Sequence, residues 1–174
     1  MERYIKNCTR IEIEIQLDYE RTPVAAGLMS HPKNIRKQNK LSEIKLAILD
    51  DIVTSTVSVI QSFGFQITRH RQSKKSYTYY IQFIPITDDG QPLLPVEVLF
   101  RISGGHSSNT LKDNMTYSSV IVKSVLIGDK EYNDPSSVIL AIQDICNHLK
   151  EGDQSILYKY IDSANRDISK GQLI

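Results

Sequence analysis

The groups best placed to do chemistry follow one short apolar segment. Val96–Ser103 runs into Gly104-Gly105-His106-Ser107-Ser108-Asn109. His106 titrates near working pH, and a histidine needs one well-placed partner to act as general acid or base. Ser103, Ser107 and Ser108 are its sequence neighbours, and Arg101 or Lys112 could hold an anion. Gly104-Gly105 would leave backbone N–H groups free for a phosphate oxygen. Such a set would suit a small phosphodiester- or nucleotide-processing enzyme, with His106 as general acid/base and Arg101 and Ser107 beside it. The same residues make an ordinary polar turn, because Gly, Ser and Asn are turn formers for backbone reasons alone. The segment matches no phosphate-loop or nucleophile-elbow pattern.

Two other constellations are incomplete. Asp88 or Asp89 with Glu97 offers the acids of a metal-dependent nuclease strand, but Leu99 stands where the Glu-x-Lys pattern requires lysine. The group that would orient or activate water is then missing. Glu12, Glu14, Gln16 and Asp18 alternate along another segment with the spacing of a metal-binding row. Pairing with a basic neighbour, such as a strand bearing Arg69 and Arg71, is the simpler expectation for such a row. His31, His70, His106 and His148 are isolated, and no Cys-x₂-Cys spacing exists. Cys146 and His148 lie two positions apart on one helical segment and point to different sides. No metal and no cofactor is expected.

Charge is the stronger signal. The formal net charge is only +1, yet residues 21–87 hold ten Lys/Arg against three acids (Glu43, Asp50, Asp51). Residues 88–174 hold eight bases against twelve acids. An uneven chain of this kind predicts a basic face towards a polyanion or an acidic protein surface. The basic positions fall in two groups. Lys33, Arg36, Lys37 and Lys40 lie in an irregular connection at about 20–41 that carries Pro23, Gly27 and Pro32. Arg69, Arg71, Lys74 and Lys75 lie in and beside a hairpin with Tyr77, Tyr79 and Tyr80. Cations interleaved with rings are what a single-strand nucleic-acid platform uses. Lysines on an exposed hairpin also block edge-to-edge pairing.

The elements that must position these residues follow from periodicity. Arg10–Tyr19 alternates, with Ile11, Ile13, Ile15 and Leu17 inward, as a strand with one wet face does. Ser42–Phe63 carries a broad apolar stripe at helical spacing and ends at Gly64. Its second half, from Ile52 to Val59, is rich in β-branched residues, so a strand competes there. Phe65–Arg71 and Tyr77–Ile84 read as a hairpin. Val96–Ser103 puts Val96, Val98, Phe100 and Ile102 on one face. Tyr117–Ile127 is apolar on both faces, which predicts a central position in the sheet. Glu131–Tyr132 is a short hairpin partner. Asn133-Asp134-Pro135 opens a helix to about Lys150, because proline suits the first helical position. Asp153 caps a further short helix containing Ile156, Leu157, Tyr160 and Ile161.

These signals predict a single α+β domain over residues 1–174, with a frayed tail from about 166. A mostly antiparallel sheet of about five or six strands is covered by one long early helix and two C-terminal helices. No apolar run approaches the roughly 20 residues that span a bilayer, and residues 1–14 contain no apolar signal region. Two cysteines cannot form a disulfide framework, and a reduced, cytoplasmic setting is expected. The favoured reading is a non-catalytic binding module. It presents Lys33, Arg36, Lys37, Lys40, Arg69, Arg71, Lys74, Lys75 and Tyr77 to a protein partner or a nucleic acid. The enzyme centred on His106 is the alternative.

Overall fold

The structure is a computed structural model that describes residues 8–23, 41–73, 77–103 and 115–161. Six strands form one sheet: β1 (Thr9–Pro23), β2 (Gln66–Ser73), β3 (Thr78–Ile84), β4 (Val96–Ser103), β5 (Met115–Ile127) and β6 (Lys130–Tyr132). Their spatial order is β2-β3-β4-β1-β5-β6. Among the described strands, β1 and β4 run parallel and the other four pairings are antiparallel. The helices are α1 (Leu41–Ser62), α2 (Ser136–Lys150) and α3 (Leu157–Tyr160), the last entered through a 3₁₀ turn at Gln154–Ile156. The fold is therefore α+β with a mostly antiparallel sheet, as the periodicity predicts.

Alternation fixes which side of the sheet is the core. Ile11, Ile13, Ile15 and Leu17 of β1 are at most 1% exposed, and Val96, Val98, Phe100 and Ile102 of β4 lie beside them. Ile81 and Phe83 of β3 and Val125 and Ile127 of β5 continue the same layer. Leu49, Val53 and Ile60 of α1 and Val138, Ile142, Ile145 and Leu149 of α2 close over it. Each buried aliphatic side chain contributes about 1.5–3 kcal/mol by leaving water.

The β-branched half of α1 is helix, not strand. Burial of Val53 and Ile60 at helical spacing outweighs the weak propensity. Thr56 is fully buried there, and its hydroxyl donates to the Ile52 carbonyl at 2.8 Å, so no polar atom is stranded. Gly64 takes φ 77°, open to glycine and costly to other residues, and turns the chain into β2.

Two expectations are corrected. β5 is not central: it lies between β1 and the three-residue β6, and Ile121 is 56% exposed. An apolar outer residue at an incompletely covered strand mimics a two-sided burial pattern. The acidic row of β1 does not face the Arg69/Arg71 strand, because β1 pairs with β4 and β5. Its partner β4 places Glu97, Leu99 and Arg101 beside Arg10, Glu12 and Glu14.

The C-terminal elements are locked by a polar bracket. The Tyr160 hydroxyl donates to Asp144 Oδ2 at 2.6 Å, and Lys159 Nζ reaches the same oxygen at 3.4 Å. His148 Nδ1 donates to the Asp144 carbonyl at 2.8 Å. Asp134 accepts from the Ser136 N–H ahead of α2, and Asp153 accepts from the Ser155 N–H ahead of the 3₁₀ turn. No described helix is long and apolar enough to cross a membrane.

Candidate functional site

The sheet has a second face, turned away from α1 and α2, and strand register arranges it in rows. One row crosses four strands as Arg69, Gln82, Glu97 and Arg10. The next reads Arg71, Tyr80, Leu99 and Glu12, and the third Ser73, Thr78, Arg101 and Glu14. At the β2 end these rows enclose a polar cleft of about 410 Å³ lined by Arg10, Arg69, Arg71, Tyr80 and Glu97, with Ser73 and Thr78 at one side. Three arginines and one carboxylate therefore line the same cleft.

That carboxylate is structural. Glu97 is 2% exposed, and its Oε2 accepts from Arg10 Nε at 3.0 Å. Cys8 Sγ lies 3.8 Å from the same oxygen. Burial, and then the nearby Glu97 charge, push the Cys8 thiol above its ordinary value. Cys8 thus remains a neutral donor and not a thiolate nucleophile. Arg10 orients Glu97 from one side while its own side chain stays 43% exposed. The cleft has the composition of an anion receptor, since guanidinium forks match carboxylate or phosphate oxygens two at a time.

A second cavity lies on the opposite side of β2, under α1. It measures about 510 Å³ and is lined by Val53, Val57, Ile67 and Tyr79, with Asp50, Thr54, Ser58, Gln61 and His70 at its polar parts. The Tyr79 hydroxyl and His70 Nδ1 are 3.0 Å apart, and their rings stack. β2 thus forms a partition with arginines on one face and an apolar groove on the other.

The residues singled out from sequence are distributed as follows. Arg69 and Arg71 share the cleft. Tyr77 lies on the helical side, with Lys45 Nζ 5.1 Å from its ring centre, so it does not join those arginines. Arg101 is exposed in the third row and is not part of the cleft lining. Asp88 is held near Lys150 Nζ at 3.9 Å while Glu97 is held by Arg10, so the nuclease acids are engaged separately. Among the described residues no group of three or more His, Cys, Asp or Glu could hold a metal. Lys33, Arg36, Lys37, Lys40, Lys74, Lys75, His106 and Ser107 lie outside the described residues.

Sequence reasoning missed Arg10 as a site residue, and it considered Glu97 only in a nuclease pattern that lacks its lysine. Both belong to the cleft because β1 runs parallel to β4 and sets Arg10 opposite Glu97. The local signal was present: Arg10 is on the wet face of its strand. Comparisons with protein-family models, curated proteins and solved structures return no match.

Proposed function

We propose that this chain is a non-catalytic binding module that holds an acidic protein segment in the cleft of Arg10, Arg69 and Arg71. The observation that carries this reading is a single polar cleft lined by three arginines, Arg10, Arg69 and Arg71, with Arg10 paired to the buried Glu97. An arginine-rich lining favours a ligand that brings carboxylates, because guanidinium forks match carboxylate oxygens.

Charge across the same face favours a peptide over a nucleic acid. Glu12 and Glu14 of β1 complete the second and third rows, and Asp18 lies further along the same strand. A phosphate backbone crossing the sheet would leave the arginines and meet those acids. A short acidic segment along the β2 end avoids them. Tyr80 offers one ring to a base, whereas Tyr77 and Tyr79 belong to the helical side. A cytoplasmic setting belongs to the same proposal and is supported by two buried free thiols, Cys8 and Cys146.

Fluorescence anisotropy tests the reading with two labelled probes, an oligoglutamate of about nine residues and an oligothymidylate of similar length. The glutamate probe binds the wild type, and Arg69→Glu/Arg71→Glu weakens it at least about tenfold. Binding of the thymidylate alone would give the cleft to nucleic acid. Binding of neither would overturn the proposal.

A further inference from the structure

Among the described strands β2 lies at the edge of the sheet, and its two faces open onto two different chemistries. Its register with β3 puts Arg69, Arg71 and Ser73 beside Gln82, Tyr80 and Thr78, on the cleft side. The same register puts Ile67 and His70 beside Phe83 and Ile81, on the groove side. Among the described residues, the order of the sheet gives β2 the single neighbour β3. The outer backbone of an edge strand presents N–H and C=O groups to an incoming chain.

From this we infer that the acidic partner adds to β2 as a seventh strand, with alternate residues acidic and apolar. This rests on the proposed reading of the cleft and specifies how the segment lies. A strand added at about 4.8 Å from β2 sends successive side chains to opposite faces. One set reaches the side of Arg69 and Arg71. The other set meets the groove of Val53, Val57, Ile67 and Tyr79. Main-chain bonds hold the added strand, while the alternate pockets select its sequence.

A second copy of this chain fits less well as the occupant. Pairing β2 with β2 would bring Arg69 and Arg71 against the same arginines, and like charges directly opposite are destabilising. Complementary charge therefore points to a different, acidic chain. The bulge between Ile67 and Arg69 ends regular alternation near the start of β2. The matched run is thus Arg69 to Ser73, with Arg69, Arg71 and Ser73 on the cleft side and His70 and Gln72 on the groove side. Any apolar side chain of the added strand must therefore reach past these two to Val53, Val57 and Tyr79.

The test compares two peptides of about nine residues and equal composition. One alternates Glu and Val, and the other places its Glu and Val residues in separate blocks. The alternating peptide binds at least about tenfold more tightly and slows amide hydrogen exchange in β2. Arg71→Glu, at an exposed position, lowers its affinity by a similar factor. Equal binding of both peptides, lost in Arg71→Glu, would overturn strand addition and leave the acidic cleft standing. Binding of neither peptide, together with no binding of oligoglutamate, would overturn both.

Discussion

Arg10 and Glu97 form an ion pair in the wall of the cleft. Glu97 is buried, and the Arg10 guanidinium compensates its charge from a position partly open to solvent. Arg10→Ala should cost about 1–3 kcal/mol in chemical denaturation, because a buried acceptor loses its charged donor. The figure stays below that for a fully buried ion pair, since water screens Arg10 already. Thr9, one residue earlier, behaves in the opposite way. Its hydroxyl is fully buried and has no hydrogen-bond partner among the described residues. Thr9→Val keeps the shape and removes the unmet polar group, so it should raise stability by about 1 kcal/mol. A melting curve that falls for Thr9→Val would contradict this account of the site. Neither effect was legible from the sequence, because both depend on neighbours supplied by β4 and its approach.

Elements were more legible than their partners. The hairpin of β2 and β3, the strand Val96–Ser103 and the helix after Pro135 lie where alternation, periodicity and the proline predict them. Local patterns suffice for these, because each encodes its own buried face. The α2–α3 bracket was not legible beyond the apolar spacing of Ile156, Leu157 and Tyr160, since it depends on Asp144 meeting Tyr160 across two elements. It should give stability a pH optimum. The Tyr160 hydroxyl, and then Lys159, hold Asp144 below its ordinary value of 3.8. That contribution is present above pH 3.8 and is lost as pH falls through the lowered value. The hydrogen bond to the Asp144 carbonyl, and then the Asp144 charge, raise His148 above 6.5. Its contribution is full below pH 6.5 and is lost as pH rises through the raised value. The bracket is thus strongest between these limits. Asp144→Ala should lower stability by about 1–3 kcal/mol at neutral pH and flatten the acid side of a melting-temperature profile. An unchanged acid limb would show that Asp144 is not the titrating group.

The whole molecule divides its charge by strand order, which the linear sequence conceals. Basic residues are concentrated in residues 21–87, but β1, from the acidic first segment, lies beside β4 at the centre of the sheet. Sequence reasoning expected the acidic row of the first strand to pair with a basic neighbour such as the Arg69/Arg71 strand. Instead β3 and β4 separate Arg69 and Arg71 from the carboxylates of β1. The fold class was readable because layers follow from element type. The cleft was not, because a parallel contact between the first strand and the fourth joins residues 87 positions apart, as in Arg10 and Glu97. The central claim is that this separated charge selects an acidic strand, and a charge swap tests it most directly. Two alternating peptides, Glu/Val and Lys/Val, are titrated against the wild type and against Arg69→Glu/Arg71→Glu. The wild type should prefer the Glu/Val peptide by at least about tenfold, and the variant should prefer Lys/Val. The same preference in both proteins would contradict the account.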